Sequence, residues 1–482
     1  MMRRAITPEN TVFVVLSFEG PDLYSQAGGL GVRVDNLSRS LAEMGFSTHL
    51  FFIGDPGLAG EETRCSGKLT LHRWCQWISA YHPHGVYDGE EGKLYDYAAS
   101  LPPYVKEHIV VPAASQGGLV VILGEEWHTA DAVCRLHEML REDGLGDSAV
   151  TVWNANNTFS FDRIDWERLH NAATITTVSR YMKHIMWRMG LNPLVVPNGI
   201  PQDLLDDVDG HLAREVRTAL GADLILCKVA RWDRDKRWNE AVDAVAWLKG
   251  MGIKAVLVSR GGIEPYGQEV MARARSMGLE VREAWMEQGA TDGHLAALRS
   301  AAPADIIDVK FHMPQHFLRV LYRASDGVLA NSGHEPFGLV GLEAMAAGGI
   351  VFTGCTGEDY AIPLFNTFVL ETADPLEIVG YMMYLWNYPG EVIRIREAAR
   401  RTARNFTWEA AVHNLVSKLE NQARMRGLLG GMAAGERTTA LPDLTIVAAP
   451  GRMEEGAAAG RVKREGTGRG LEAGREVLAA TR

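Results

Sequence analysis

The sequence predicts an α/β protein made of two doubly wound parallel-sheet domains that face a cleft, closed by a C-terminal helix. Short aliphatic or β-branched runs alternate with helical patterns, which favours parallel sheets covered by helices on both faces. The alternation restarts after Pro197-Asn198-Gly199. A chain of 482 residues exceeds what one core ordinarily serves, so two domains are preferred to one large sheet.

The first series of strands begins near the N-terminus, and turn residues bound each run. Its predicted strands are TVFVVLSF (11–18), STHLFFIG (47–54), LVVILG (119–124), AVTVWNA (149–155), ATITTVS (173–179) and PLVVPNG (193–199). Between the first two, VRVDNLSRSLAEMG predicts a helix with one apolar face and an end at Gly45.

The second series predicts strands and helices in the same alternation. Its strands are LILCKVA (224–230), KAVLVSR (254–260), DGVLANS (326–332) and GIVFTG (349–354), and its helices lie near 237–250, 265–277 and 337–348. A long amphipathic helix follows at 408–427. We therefore expect domains over 1–197 and 198–405, a closing helix over 406–428 and a disordered tail over 430–482, whose composition offers few large apolar residues to bury.

The amino-acid composition and net charge indicate which classes of protein this chain resembles and which they disfavour. A chain that is 46% hydrophobic and 23% charged, with a net charge of −11, is typical of a soluble globular protein and disfavours nucleic-acid binding. No apolar run approaches the roughly 18 residues of a membrane span, and TVFVVLSF is interpreted as a buried strand rather than a signal peptide. Five scattered cysteines favour reduced, buried thiols over disulfides or a zinc site. The cytoplasm is the expected location.

A glycine-rich stretch, SQAGGLGVRVDNL, follows the first predicted strand. Gly28, Gly29 and Gly31 open the first helix, where the missing side chains let a phosphate approach the backbone. The stretch matches neither GxGxxG nor the Walker pattern, which disfavours a dinucleotide-binding protein or an ATPase. Taken alone, this glycine-rich stretch is explained equally well as a tight turn between a strand and a helix.

The stretch VARWDRDKRW follows the first strand of the second series. Arg231 and Lys236 are cations separated by a short polar loop, and together they suit a diphosphate on which charge grows as a bond breaks. The alternative is a solvated basic loop paired with Asp233 and Asp235, which these residues alone favour.

The stretch HEPFGLVGLEAMAAGG places two acids eight residues apart. Glu335 lies at the end of a strand, Pro336 is expected near a helix start, and Glu343 falls within an apolar helix where it needs a polar partner. A nucleotide sugar could satisfy both acids, with sugar hydroxyls at Glu335, ribose hydroxyls at Glu343 and the diphosphate on the N–H groups of Gly338 and Leu339. The alternative is one acid at a helix N-terminus and one exposed glutamate.

The segment YHPHGVYDGEEGKLYDY (81–97) carries several groups that could bind metal. Its spacing is irregular, so a polar loop is preferred to a metal site formed by His82, His84, Asp88, Glu90 and Glu91. The aromatic residues Trp74, Trp77, Tyr87 and Tyr95 could form a platform for a sugar acceptor, although aromatic side chains more often pack a core.

The motif E-P-F-G-L-x-x-L-E-A-M-A-x-G resembles the E-x7-E signature of retaining glycosyltransferases of the GT-B fold, family GT4, to which glycogen and starch synthases are related. GGLG (28–31) is similar to that group's glycine loop, and EEWHTA (125–130) to the DWHT segment of the glycogen synthase branch. TVSRYM (177–182) and VPNGI (196–200) resemble its interdomain stretch, and Arg231 with Lys236 matches its R-x4-K pair. The resemblance covers roughly residues 11 to 425.

This resemblance implies a Rossmann-like acceptor domain, a Rossmann-like donor domain, and transfer of a hexose from a nucleotide diphosphate sugar to a carbohydrate or other hydroxyl acceptor. No metal or cofactor beyond that co-substrate is expected. The implied catalytic residues are Arg231, Lys236, Glu335 and His128, the last beside the donor sugar. The implied substrate-binding residues are Gly28, Gly29, Asn198, Gly338, Leu339 and Glu343.

The sequence also departs from the family pattern at three places. Gln26 replaces the lysine of K-x-G-G-L, which weighs against ADP-glucose and a glucan synthase. Arg237 follows Lys236 where many relatives have glycine, and Thr356-Gly357-Glu358 replaces a glycine-rich turn. A glycogen or starch synthase, a nucleotide-sugar epimerase and a sugar-binding protein on the same scaffold remain as alternatives.

Overall fold

The computed structural model describes residues 5–286 and 293–429. The predicted tail at 430–482 lies outside these residues. Within the described part of the chain, no helix is both long and apolar enough to cross a membrane.

The first half of the chain forms an eight-stranded sheet in the order β3-β4-β2-β1-β5-β6-β7-β8. All neighbouring strands are parallel except β3, which pairs antiparallel with β4 at the edge. Its strands are β1 (Thr11–Leu16), β2 (Ser47–Ile53), β3 (Glu61–Arg64), β4 (Leu69–Trp74), β5 (Leu119–Glu125), β6 (Ala149–Ala155), β7 (Thr174–Thr177) and β8 (Leu194–Val195). The helices between them are α1 (Gly29–Glu43), α2 (Gln76–Ser79), α3 (Glu90–Val105), α4 (Val111–Ser115), α5 (Ala130–Glu142), α6 (Trp166–Ala172) and α7 (Arg180–Trp187).

The second half forms a seven-stranded parallel sheet in the order β11-β12-β10-β9-β13-β14-β15. Its strands are β9 (Leu224–Val229), β10 (Ala255–Arg260), β11 (Val281–Ala284), β12 (Ile306–Val309), β13 (Gly327–Ala330), β14 (Val351–Thr353) and β15 (Phe368–Val369). Its helices are α8 (Gly210–Leu220), α9 (Trp238–Gly250), α10 (Tyr266–Ser276), α11 (His294–Ala301), α12 (Gln315–Ala324), α13 (Leu339–Ala346), α14 (Pro375–Asn387) and α15 (Pro389–Ala403).

Each sheet reverses its strand order beside its first strand. In the first sheet the chain winds outward from β1 to β2 and then returns to β5 on the other side, and in the second sheet β9 lies between β10 and β13. Such reversal points open a crevice at the carboxyl ends of the strands, where ligands bind in doubly wound proteins. The glycine-rich loop, EEWHT, RWDRDK and HEPFG all follow the strands that flank these two points.

The last helix, α16 (Trp408–Met425), returns to the first half of the molecule. Its apolar face shares a core with α1 and the first sheet, through Trp408, Val412 and Leu415. The chain returns beside the linker at Gly199, where a Cβ would lie 2.4 Å from the backbone nitrogen of Trp408. Glycine is therefore required at this position for the two crossing segments to meet.

The predicted fold class is confirmed, and each predicted strand overlaps an observed one. Five strands were missed. β3 is polar and lies at an edge, β4 carries His72 and Arg73, and β11, β12 and β15 are four residues or shorter. Their patterns are too short or too polar to indicate a strand without their neighbours. Helix α13 begins at Leu339, so the expectation of a helix start near Pro336 was wrong by three residues.

Candidate active site

A cavity of about 750 Å³ lies between the carboxyl edges of the two sheets. This volume is in the range of small-molecule sites. The predicted site residues that line it are Gly28, Gly29, His128, Asn198, Arg231, Lys236, Glu335, Gly338 and Leu339. The fold thus brings together residues separated by more than 300 positions. Glu343 is not among the residues that line this cavity.

The Arg231–Lys236 loop and the Glu335 turn are joined by direct contacts. The Lys236 Nζ lies 3.4 Å from the Glu335 Oε2. The carbonyl oxygen of Asp235 accepts a hydrogen bond from the Gly333 N–H at 2.8 Å, and the Asp235 carboxylate accepts one from the His334 N–H at 3.2 Å. Two strand-end loops from β9 and β13 therefore form one rigid wall.

The Arg231 guanidinium is exposed toward the cavity and has no ion-pair partner within the described residues. Asp233 instead accepts a hydrogen bond from the Asp235 N–H at 2.8 Å, and Asp235 contacts the Glu335 turn. In the described residues, Asp233 and Asp235 therefore do not neutralise Arg231 and Lys236, as the alternative of a solvated basic loop required. An unpaired cation beside a large cavity is suited to an anionic ligand.

Helix α13 presents its N-terminus to the cavity. Gly338 caps this helix with φ of 83°, a left-handed conformation that glycine adopts without strain. The Tyr360 hydroxyl donates to the Gly338 carbonyl at 2.5 Å, and this contact holds the turn in place. The first N–H groups of a helix have no partner inside it, so they are available to an anion.

Glu343 lies one turn into α13 and contacts Gln315 at the start of α12. Its side chain is half-buried, and desolvation raises its pKa to about 7, while the hydrogen bond with Gln315 opposes this shift. A carboxyl in such a place needs a polar partner, as the sequence indicated. The ribose hydroxyls remain a prediction for that partner.

The glycine loop already holds an anion supplied by the chain itself. The Glu19 Oε2 accepts hydrogen bonds from the N–H groups of Gly28 at 2.9 Å and Gly31 at 3.1 Å. The Tyr87 hydroxyl donates to the other Glu19 oxygen at 2.6 Å. The carboxylate therefore occupies the position for which the sequence suggested a phosphate. Glu19 was not predicted as a site residue, although a charged residue just after a buried strand is a signal that could have identified it.

His128 is held in one orientation and in the neutral state. Its ring stacks between Phe18, at a centroid distance of 4.3 Å, and Trp127, at 3.9 Å. Desolvation lowers the pKa of His128 to about 3, and its Nε2 lies 2.8 Å from the Glu90 Oε1. A neutral imidazole at physiological pH is better suited to hydrogen bonding than to shuttling protons.

A buried ion pair lies beside the cavity on the first-domain side, and its Arg33 lines the cavity. Arg33 donates two hydrogen bonds to the Glu125 carboxylate, both at 3.0 Å, and a third to the Asn198 side chain. The side chains of Asn154 and Asn156 each donate to the same Glu125 oxygen at 2.9 Å. Asn198 thus reaches the cavity as part of this network, which ties the interdomain linker to β5 and α1.

Glu126 follows β5 in a left-handed conformation with φ of 67°. Its Oε1 accepts hydrogen bonds from the N–H groups of Asn156 at 2.6 Å and Asn157 at 3.1 Å. Burial raises the pKa of Glu126 to about 8, opposed by these hydrogen bonds and reinforced by Glu125. A strained, buried acid at the wall of a cavity is typical of functional sites.

We expect the Glu126→Gln variant to match the wild type in stability near pH 4.5 and to exceed it at pH 8. The folded protein retains a proton on Glu126 between its ordinary pKa of 4.5 and its folded pKa of about 8, so wild-type stability falls as pH rises through that window. Glutamine keeps the accepting oxygen and cannot ionise. Thermal denaturation from pH 4.5 to 8.5 should show a midpoint difference that grows to at least about 2 °C. The exposed Glu269→Gln variant is the control, and a difference independent of pH would contradict this assignment.

A buried lysine lies behind the cation loop. The Lys228 Nζ donates to the Asn331 side chain at 2.5 Å and to the Leu329 carbonyl at 3.2 Å. Desolvation lowers its pKa to about 7, helped by the charge of Lys236. Because Asn331 follows β13 directly, Lys228 fixes the start of the turn that carries Glu335.

The N-terminus of α7 contacts the Glu335 turn from the first domain. The Ser179 hydroxyl donates to the Pro336 carbonyl, and the Tyr181 hydroxyl lies 2.8 Å from the His334 Nδ1. Arg180 donates from its N–H and its Nε to Asp359, at 3.1 and 3.3 Å. The segment TVSRYM thus bridges the two halves beside the cavity.

The departures from the family pattern have distinct structural settings. Gln26 is exposed and is not among the residues that line the cavity. Arg237 adopts φ of 52°, in the region that glycine favours, and donates to the Thr372 carbonyl at 3.1 Å. In the replaced turn Gly357 has φ of 84° and Thr356 is buried.

The structure also bears on the metal site considered at 81–97 and on the predicted burial of the cysteines. His82 pairs with Asp88 at 3.2 Å, whereas Glu90 contacts His128. Within the described residues, no three potential metal ligands come together. Of the cysteines, Cys75, Cys134 and Cys227 are buried as expected, but Cys355 is exposed, so that expectation was wrong for it. Cys355 lies on a loop, where no strand or helix face fixed its burial.

Comparisons with known proteins agree with this arrangement. Residues 213–402 match the family described as Glycosyl transferases group 1. A 134-residue segment is 34% identical to D-inositol 3-phosphate glycosyltransferase of Salinispora tropica, and the match covers 26% of this chain and 26% of that protein. The chain therefore aligns with about a quarter of that curated relative.

Solved structures match over most of the chain. The sucrose-phosphate synthase of Thermosynechococcus elongatus is 18% identical with a TM-score of 0.59, covering 86% of this chain and 100% of that one. The catalytic domain of starch synthase IV from Arabidopsis thaliana, bound to ADP and acarbose, is 15% identical with a TM-score of 0.60 and the same coverage. At these identities the likeness establishes the GT-B fold.

Proposed function

We propose that this chain, whose residues 213–402 form a glycosyl transferases group 1 domain within a GT-B fold, transfers a hexose from a nucleotide diphosphate sugar to an acceptor hydroxyl with retention of configuration. The observation that carries the proposal is the convergence of Arg231, Lys236 and the N-terminus of α13 on one cavity wall. These cationic and N–H groups face His128 on the opposite, first-domain wall.

In this proposal the leaving diphosphate sits at the wall formed by the second domain. The bond between the anomeric carbon and the diphosphate oxygen breaks, and negative charge grows on that oxygen. Arg231, Lys236 and the N–H groups of Gly338 and Leu339 stabilise this charge because they are already oriented when the substrate arrives. No metal ion is needed for this step, since the protein's own cations balance the charge.

The acceptor oxygen then attacks the anomeric carbon from the side on which the diphosphate departs, and its proton passes to the departing phosphate oxygen. Configuration is thereby retained without a covalent sugar–enzyme intermediate. Glu335 is paired with Lys236 at 3.4 Å, so we assign it to binding the sugar hydroxyls. The neutral His128, whose Nε2 is engaged by Glu90, shapes the sugar site in place of moving a proton, and closure around the substrates excludes water.

The relatives support this assignment at the level of substrate class. They include a D-inositol 3-phosphate glycosyltransferase, a starch synthase bound to ADP, and a UDP-forming trehalose-phosphate synthase in complex with glucose 6-phosphate. Sugar or cyclitol phosphates and glucans are thus acceptors to test. If the sugar of the donor is radiolabelled, an epimerase leaves the label in the nucleotide sugar, whereas a transferase places it in the acceptor.

The experiment is a thermal-shift screen with UDP-, ADP- and GDP-sugars on the wild type and Arg231→Ala. A donor should raise the wild-type midpoint and raise that of Arg231→Ala much less, because ligand that binds only the folded protein stabilises it by mass action. Arg234→Ala is the matched control, since Arg234 is exposed in the same loop and does not line the cavity. Stabilisation by none of the donors, or equal stabilisation of both proteins, would overturn the proposal.

A further inference from the structure

A second cavity of about 370 Å³ lies on the other side of the Trp127–His128 pair. Both cavities are lined by these two residues, which therefore form a shared wall. The second cavity is enclosed by α3, α5 and the segment 163–168. Of the residues assigned above to the donor, His128 alone lines it.

The charges around the second cavity cancel. Three acids and three arginines line it, namely Glu91, Asp131, Asp165, Arg135, Arg163 and Arg168. Arg163 makes two hydrogen bonds to Glu91, at 2.9 and 3.0 Å, and Arg168 is paired with Asp131. A site with no net charge has little preference for an ion, but it offers fixed donors and acceptors to a neutral polar ligand.

The second cavity also has aromatic surface. Tyr95 lines it with 78% of its surface exposed, and its hydroxyl has no hydrogen-bond partner within the described residues. The Trp127 ring is covered by the Arg163 guanidinium, 4.3 Å from the ring centroid. The exposed Tyr95 ring is therefore the aromatic face that a ligand can reach, and the paired side chains supply the hydrogen-bonding groups.

We propose that the second cavity is a subsite for a neutral sugar unit of the acceptor. A pyranose has one apolar face, which suits an aromatic ring, and a rim of hydroxyl groups, which suits paired carboxylates and guanidinium groups. The start of α3 borders both cavities, since Glu90 lines the first and Glu91 the second. Neighbouring units of one acceptor occupy the two sides of this turn. This inference rests on the proposed function and names its acceptor class as an oligosaccharide or glycoside.

The test is calorimetric titration of the full chain with neutral trisaccharides of glucose, mannose and galactose, with the matching monosaccharides and with glucose 6-phosphate. At least one trisaccharide should bind at least tenfold more tightly than its monosaccharide. The Tyr95→Ala variant should lose this advantage. The Tyr81→Ala variant should keep it, because Tyr81 is 81% exposed and is not among the residues lining either cavity.

The subsite is refuted if no trisaccharide binds more tightly than its monosaccharide, if the advantage survives in Tyr95→Ala, or if glucose 6-phosphate binds best. Failure of the proposed function is distinguishable from failure of the subsite. The donor-induced thermal shift depends on Arg231 and should be unchanged in Tyr95→Ala. Trisaccharide binding should in turn persist in Arg231→Ala.

Discussion

We expect the Glu335→Ala variant to lose at least a hundredfold of its transfer activity, a loss of about 2.7 kcal/mol in transition-state stabilisation. The Glu335 side chain is 31% exposed at the cavity wall and its one ion pair, with Lys236, is partly solvated. Its removal therefore costs little folding stability. In the proposed mechanism, the substitution removes the group that binds the sugar hydroxyls and leaves Lys236 free to shift from the diphosphate position.

The measurement is release of the nucleoside diphosphate together with incorporation of labelled sugar into the acceptor. Thermal denaturation of the same variant measures its stability. Glu335→Gln keeps hydrogen-bonding capacity and removes the charge, so it separates the two roles of this side chain. Glu269→Ala is the control, because Glu269 is an exposed acid of α10 that does not line the cavity. Activity of Glu335→Ala within about tenfold of the wild type, a change near 1.4 kcal/mol, would remove Glu335 from the mechanism.

The Arg33→Leu variant should show the largest loss of stability, about 3–5 kcal/mol. Arg33 and Glu125 form a buried pair in which the side chains are 6% and 2% exposed. Removing the guanidinium leaves a carboxylate in a desolvated site, where the remaining amide donors cannot balance its charge. Because Arg33 also holds Asn198, the linker between the two halves loses its anchor at the same time.

Chemical denaturation at pH 7 measures this loss. Arg39→Leu is the matched control on the same helix, since Arg39 and its partner Glu43 are 51% and 63% exposed at 3.8 Å, and it should cost no more than about 0.5 kcal/mol. Adding Glu125→Gln to Arg33→Leu should recover part of the stability, because the unpaired charge is then absent. A loss below about 1 kcal/mol for Arg33→Leu, or no recovery in the double variant, would show that the pair is not the source of the stability.

Local sequence patterns by themselves predicted the fold class and most of the strands. Buried strands such as TVFVVLSF and AVTVWNA are recognisable because a run of aliphatic residues between turns has few other ways to bury its surface. The motifs that follow β1, β9 and β13 were identified from residue type and spacing, and the EEWHT segment after β5 from its resemblance to the family. Parallel sheets gather strand ends at one edge, and the resemblance implied that Arg231, Lys236, Glu335 and His128 act at one donor site.

The tertiary structure decided which partner each polar group has. The Glu19 carboxylate fills the glycine loop, Glu90 fixes His128, and Arg33 neutralises Glu125 across distances of 9 to 92 residues in sequence. The state of His128 and Glu126 depends on desolvation, which only the packing of several elements produces. The second cavity likewise exists only where α3 and α5 meet the segment 163–168. Spacing along a chain records neighbours within one element, whereas burial and pairing arise between elements, and for that reason the sequence specified the chemistry of the site and the fold specified its charge states and its shape.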